Sequence, residues 1–425
     1  MDKPVVRISV RNLVEFILRS GDLDNRRGSA DKEAMLKGSR LHRKIQSQMG
    51  SHYRAEVSLK YTTEYDDVSI AVEGRADGIF TEDEQYFIDE IKGVYADVSQ
   101  LEKPVEVHRA QAMCYACIYA REQQLEKIGV QMTYGNLDTE ELKYFREEFT
   151  LEELKDWYQE LLDRYHKWIS YQLAWKKERN ESMEGLEFPF EYREGQRKIV
   201  SSVYHTISAE RQIFIQAPTG VGKTMSTIFP AVRAVGAGLG ENIFYLTAKT
   251  ITRTVAEEAF LILKEHGLKF KVITITAKEK LCFCDKTECN PENCLWARGH
   301  LDRINDAVYE LWTTQDCYGR ERILEYAKKW QVCPFELCLD LAIWVDAVIC
   351  DYNYVFDPNV YLKRFFGEGT SGGYIFLIDE AHNLVDRGRE MYSAFVDRAD
   401  VLEAKKLAAD TLSIMVTSEW KQCLK

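Results

Sequence analysis

With 425 residues, 45% of them hydrophobic and 12% aromatic, the chain holds more apolar material than one ordinary core takes up, so two or three domains are expected. A formal net charge of −12 excludes a surface uniformly attractive to nucleic acid, although a local basic groove stays open. There is no amino-terminal apolar leader and no apolar run near the roughly 20 residues of a membrane span, so no membrane partner is expected and the chain reads as soluble and cytoplasmic. In that reducing setting eleven cysteines favour metal ligation over disulfides.

The first short basic island is GSRLHRK, 38–44; a solvated charged face is its plainer explanation, as it is for KEHGLKFK at 264–271. Residues 55–93 alternate apolar and polar positions around the turn-rich TEDEQ, which predicts strand, turn and strand. Asp77 ends the first run in EGRADGIF. Glu90 and Lys92, in FIDEIKG, share one face of the next. A Mg²⁺ or Mn²⁺ ion held by Asp77 and Glu90 could polarise a scissile phosphate, with Lys92 positioning the nucleophile or offsetting charge. Gln111 and Tyr115 in RAQAMCYA stand at i, i+4 on a helix, and His42 lies upstream. Together these residues resemble a RecB-type member of the PD-(D/E)XK nuclease family over about residues 5–125. The resemblance implies that His42 assists metal binding and that the Gln111–Tyr115 helix contacts DNA. The cysteines that flank the fold in iron–sulfur members of that family are missing here, so no second cluster is expected. A catalytically silent DNA-binding relic is the alternative.

From Thr150 the pattern becomes helical, with capping-box spacing to Glu153 and Leu151, Leu154, Trp157, Leu161, Tyr165 and Trp168 recurring at helical intervals. Polar WKKERNESMEGLE, 175–187, predicts a linker, with a domain boundary near 180. Beyond it QIFIQA, NIFYLTA, AVICDY and YIFLIDE alternate with helical segments, as in a mostly parallel sheet covered by helices.

QIFIQAPTGVGKT, 212–224, reads as a strand, a Gly-rich turn and a helix start. The backbone of Thr219, Gly220, Val221 and Gly222 would cradle phosphates, Lys223 would reach the outer ones, and the Thr224 hydroxyl would ligate Mg²⁺. Further on, LCFCDKTECNPENC holds four cysteines within 281–294, a density that points to a metal. The strand YIFLIDEAH, 374–382, ends on Asp379, suited to Mg²⁺, and Glu380, suited to orienting and deprotonating water.

APTGVGKT and IDEAHN, with FPFEYREGQRKIV before them and YLTAKTITRT between them, resemble the first motor lobe of a superfamily-two DEAH-type DNA helicase, of the XPD and DinG branch. That resemblance implies ATP with Mg²⁺, Gln196 on the adenine with Tyr192 and Arg193 nearby, and His382 in the nucleotide-binding set. It further implies that Thr250 and Arg253 couple DNA to ATP, that the partner is single-stranded or forked DNA, and that translocation runs five-prime to three-prime. An inserted [4Fe–4S] domain is implied too, with Cys282, Cys289, Cys294 and Cys333 as ligands, serving as a structural brace and DNA wedge. Cys284 competes for the first position. Structural Zn²⁺ is the rival occupant, though it prefers closer C-x₂₋₄-C pairs. Cys114, Cys117, Cys317, Cys338, Cys350 and Cys423 read as buried thiols.

The expected fold is α/β: a nuclease-like domain with a helical extension at 1–180, a RecA-like motor lobe at 181–278 and 340–385, an iron–sulfur insert at 279–339, and the start of a helical arch at 386–425. A second motor lobe is not seen, so the chain reads as the amino-terminal part of a longer helicase or one completed elsewhere. Alone it is expected to bind ATP weakly and to unwind duplex poorly. The functional expectation is a nuclease–helicase fusion in DNA repair or processing; the alternative is a DNA-binding module with a nucleotide-responsive clamp. An RNA-directed ATPase is disfavoured by the cysteine insertion and the nuclease partner.

Overall fold

The computed structural model describes residues 3–26, 32–218, 220–248, 250–367, 370 and 372–411. They form two compact units: Met1–Pro189 with Lys264–Asp346, and Phe190–Leu263 with Ala347–Lys425.

In the first unit, β1 (Val5–Ser9) runs straight into α1 (Val10–Ile17), because the Ser9 hydroxyl accepts the Asn12 N–H at 3.1 Å and caps the helix. Val10, Leu13, Val14 and Ile17 form its buried stripe. After α2 (Lys32–Gln48) come β2 (Tyr53–Glu64), β3 (Ser69–Glu82) and β4 (Gln85–Val94). Glu82 pairs with Gln85, and the two residues between them, Asp83 and Glu84, have φ of 48° and 64°, the backbone of a type I′ hairpin turn. This is the strand–turn–strand that the alternation predicts. Next come α3 (Glu106–Gln123), β5 (Lys127–Asn136) and β6 (Leu142–Thr150), giving a sheet ordered β1-β3-β4-β5-β6 with β2 paired to β3. The β1/β3 and β4/β5 pairs are parallel and the rest antiparallel. Helix α3 is buried on every side from Ala110 to Ala120, so it is core rather than surface.

Helix α4 (Leu151–Glu184) begins with the expected capping box between Thr150 and Glu153. It does not stop where its sequence turns polar. Trp175, Arg179 and Met183 are buried, so most of the expected 175–187 linker is helix.

The chain then passes through the second unit as α5 (Gln196–Ser208), α6 (Lys223–Gly236), β7 (Asn242–Leu246) and α7 (Thr250–Glu265). It re-enters the first unit with β8 (Val272–Thr274), α8 (Lys278–Leu281), α9 (His300–Thr314), β9 (Cys317–Tyr318), α10 (Arg320–Trp330) and α11 (Pro334–Ala342). Here the polar tail of α4 finds its partners. Trp175 Nε1 and Arg179 Nη1 donate to the buried Asp346 carboxylate at 2.9 and 2.7 Å, and Asp346 also accepts the Lys271 N–H at 2.8 Å. Above this network Trp168 stacks on Trp312, with ring centroids 5.9 Å apart. Residues 264–346 therefore pack as a body with the amino-terminal residues.

Back in the second unit, β10 (Ala347–Cys350) and β11 (Tyr374–Ile378) both pair parallel with β7. These are three of the four strands expected from the apolar runs. The fourth, QIFIQA, is not a strand: residues 212–217 have no ladder and Phe214 is 90% exposed. Alternating apolar residues favour extension, but a strand forms only where a neighbouring edge can take its N–H and C=O groups. Among the described residues no helix is long and apolar enough to cross a membrane.

Candidate functional site

In the first unit the antiparallel register sets Gly78 opposite Asp89, so Asp77 on β3 lies across from Glu90 on β4. Asp77 Oδ2 accepts the Ile91 N–H at 2.8 Å, and its Oδ1 lies 3.6 Å from His42 Nδ1. One helical turn after His42, Gln46 Nε2 donates to the Asp77 carbonyl at 2.9 Å, so α2 grips the strand at this point. Lys92 Nζ reaches Glu90 Oε1 at 2.7 Å. The structure thus brings His42, Asp77, Glu90 and Lys92 into one cluster. Burial pushes the Glu90 carboxyl up to about 7, against the pull of Lys92 and helped by the Asp77 charge. Asp77 is raised as well, by burial, with His42 opposing. Both carboxylates therefore lack enough positive charge nearby to stay ionised comfortably, which is the condition a divalent cation would relieve.

On α3, Tyr115 is buried and its hydroxyl is held protonated by burial and by the Glu90 and Asp77 charges. Gln111, one turn earlier, is 3% exposed and its Oε1 has no hydrogen-bond partner. Sequence reasoning missed Asp89. It lies on the opposite face of β4 from Glu90, fully buried, accepting from Tyr53 Oη at 3.0 Å, Gln131 Nε2 at 3.1 Å and Thr133 Oγ1 at 2.5 Å. A Cβ at Gly78 would sit 1.9 Å from Tyr53 Oη, so only glycine admits this tyrosine. The available signal was an acid flanked by Phe87 and Ile91 on one strand face.

In the second unit Gly220 and Gly222 have φ of +82° and +77°, and α6 begins at Lys223, so the Gly-rich turn ends on a helix N-terminus. A Cβ at Gly222 would be strained by its positive φ and would lie 2.7 Å from Gln196 Nε2, so that amide would have to shift. Gln196 is buried, its Oε1 accepts the Arg193 N–H at 3.0 Å, and the Arg193 guanidinium donates to the Gly220 carbonyl. The expected adenine-side residues thus brace the turn, with Val221 between its glycines. Lys223 Nζ lies 3.7 Å from Glu380 Oε1 and donates to the Ala217 carbonyl at 3.4 Å. The Tyr245 hydroxyl lies beside the Thr224 and Asp379 side chains, and burial with the Asp379 charge keeps it protonated. Burial and the Glu380 charge raise the Asp379 carboxyl. Glu380 itself has φ of +50°, an uncommon backbone for a non-glycine residue, and the Tyr352 hydroxyl holds its carbonyl at 3.1 Å. Exposed His382 stands with Nδ1 3.4 Å from Glu380 Oε2. Arg253 and Arg387 share the Asp351 carboxylate at 3.5 and 3.0 Å; the last two residues were not foreseen. Thr219, Cys423 and the Thr250 side chain lie outside the described residues.

The cysteines fall in the first unit. Cys282, Cys289, Cys294 and Cys333 line one small cavity, walled by Phe283, Trp296, Phe335 and Leu23 among others. Cys284 Sγ lies 3.8 Å from Cys294 Sγ, beside that set. Burial lifts the Cys333 thiol to about 11. All ten described cysteines are free thiols. Among the described residues no three His, Cys, Asp or Glu side chains close on a single-ion site.

Residues 247–401 match the DEAD_2 family model. Over 132 residues the chain is 29% identical to the Fanconi anemia group J protein homolog of Gallus gallus, which covers 31% of this chain and 10% of that protein. Over 201 residues it is 25% identical to a probable ATP-dependent helicase of Methanocaldococcus jannaschii, covering 46% of this chain and 29% of the relative. A solved structure titled XPD helicase is 17% identical with a TM-score of 0.34, covering 51% of this chain and 37% of that one. Over these parts the chain is similar to a DEAD_2 domain and to these two relatives, and it spans less than a third of the length of the curated relatives it matches.

Proposed function

We propose that the chain belongs to an ATP-dependent DNA helicase of the XPD-like kind that also carries a metal-dependent DNA nuclease, and that it acts in DNA repair or processing. The observation that carries the motor half is Lys223 Nζ 3.7 Å from Glu380 Oε1, at the mouth of a glycine turn that opens a helix, in a chain whose residues 247–401 match DEAD_2. Lys223 meets the outer phosphates in place of Glu380, and the freed Glu380 orients the attacking water. Thr224 and Asp379 would hold Mg²⁺, which when bound neutralises phosphate charge. Gln196, with Arg193, sets the adenine side.

The nuclease half rests on the clustering of four side chains. Asp77 and Glu90 would hold Mg²⁺ or Mn²⁺, which when bound polarises a phosphodiester; His42 supports Asp77, and Lys92 offsets charge and steers the nucleophile. For the cysteines, the four thiols that line one cavity would hold a [4Fe–4S] cluster, a reading that rests on the family likeness and on their wide spacing in the sequence. Single-stranded or forked DNA and five-prime to three-prime movement complete the reading by family likeness.

Nucleotide binding tests the motor half. A fluorescent ATP analogue with Mg²⁺ is expected to bind about 10- to 100-fold more weakly to Lys223→Ala, the loss of one charge-assisted contact. Glu380→Gln, which frees Lys223 of its competitor, is expected to bind at least as well as the unaltered chain. Undiminished binding by Lys223→Ala would refute the assignment.

A further inference from the structure

Residues 18–26 leave the end of α1 and lie along the cysteine-rich segment, exchanging backbone and side-chain hydrogen bonds with it in both directions. The Leu23 N–H donates to the Ala297 carbonyl and the Asn25 N–H to the carbonyl of Cys289 itself, each at 2.9 Å, while the Leu301 N–H donates back to Gly21 at 2.9 Å. Asp22 Oδ1 accepts the Gly299 N–H at 2.6 Å, and Asp302 Oδ1 accepts the Gly21 N–H at 2.8 Å. The ends of the strap are fastened by charge. Arg19 binds Asp340 at 2.9 Å and Asn305 at 2.7 Å, and Arg26 binds Glu292 at 2.9 Å. Between these fastenings the Leu23 side chain forms part of the wall of the cavity that Cys282, Cys289, Cys294 and Cys333 line.

The stretch from Cys282 to Gly299 contains no strand and no helix that would order it from within. Local turn bonds such as Cys294 N–H to the Asn290 carbonyl and Ala297 N–H to the Cys294 carbonyl order it in part, and two outside agents can complete its fixing: a group binding the thiols and the strap binding the carbonyls. Each demands the same conformation of residues 289–299. Two binders that require one conformation help each other, and the coupling is reciprocal.

We propose that docking of residues 19–26 and occupancy of the thiolate cavity are a single linked equilibrium, so that the bound cluster holds down the amino-terminal domain and the strap in turn shields the cluster. This rests on the reading of the cysteines as cluster ligands. The consequence is that the state of the cluster is felt in the domain that carries the candidate nuclease site, because α2, with His42, is the next element after the strap. A mere structural insert, fastened elsewhere, would leave that domain indifferent.

The test compares amide hydrogen exchange in the full chain, purified without oxygen, before and after iron is removed by a chelator. Peptides containing Leu23 and Asn25 are expected to exchange about five- to tenfold faster once iron is lost, the protection of about one hydrogen bond each, whereas α6 in the second unit is expected to stay unchanged. Reciprocally, Leu23→Ala and the rim variant Arg26→Ala are expected to lose iron to chelator severalfold faster than the unaltered chain, followed by visible absorbance. Iron present but strap exchange unchanged on its removal would overturn the linkage and leave the cluster reading standing. Stoichiometric zinc in place of iron would end the cluster reading, and the same exchange comparison with and without zinc would then decide the linkage. A chain that binds neither metal overturns both.

Discussion

Glu90 and Asp77 are carboxyls that the fold has buried beside one another, and their titration carries a direct consequence for stability. Glu90 is raised from 4.5 to about 7, so the folded chain keeps a proton that the unfolded chain has already released. Stability of the metal-free first unit therefore falls as pH rises from about 4.5 to about 7, and Asp77, raised too, adds in the same direction. A bound Mn²⁺ ion should reverse this penalty. At pH 8 without metal, Glu90→Gln is expected to melt above the unaltered chain, and added Mn²⁺ is expected to raise the melting temperature of the unaltered chain but not of the variant. Melting indifferent to Mn²⁺ in both would count against a cation site here. At this scale much was legible: strand period two put Glu90 and Lys92 on one face before any coordinates, and helical period put Gln111 with Tyr115. Asp89 was not legible, because its partners Tyr53, Gln131 and Thr133 come from two other strands.

Elements were legible where their cause is local. The capping box of α4 and the positive-φ turn between β3 and β4 each depend on a few consecutive residues. The end of α4 was misread because Arg179 owes its burial to Asp346, 167 positions away, and no local pattern announces such a partner. Asp346 receives Trp175, Arg179 and the Lys271 N–H together, so Asp346→Ala is expected to destabilise the first unit by about 3–5 kcal/mol, the cost of stranding a buried cation. Chemical denaturation followed by tryptophan fluorescence measures it, and a loss under about 1 kcal/mol would mean that water or other groups compensate. The absent strand at 212–217 makes the converse point. Its sequence has every strand preference, yet Phe214 lies exposed, because pairing is a property of two segments and not of one.

At the scale of the whole molecule, the chain crosses between its units three times, and the DEAD_2 match over 247–401 draws on both. The family resemblance, together with chain order, implies that the cysteines form an insert of the motor lobe; the packing joins them to the body that contains the buried carboxylates, a long-range association outside the reach of composition or spacing. The proposed function rests on two candidate phosphate-directed sites in separate bodies, Lys223 with Glu380 in one and Asp77, Glu90 and Lys92 in the other. Its more exposed half is the nuclease, and one measurement reaches it: cleavage of end-labelled single-stranded DNA by the full chain in Mn²⁺, beside Asp77→Ala and Lys92→Ala. The expected result is metal-dependent cleavage by the unaltered chain, lost at least about a hundredfold in each variant while DNA binding persists. Binding without cleavage in Mg²⁺ or Mn²⁺, or cleavage that survives in both variants, would contradict it.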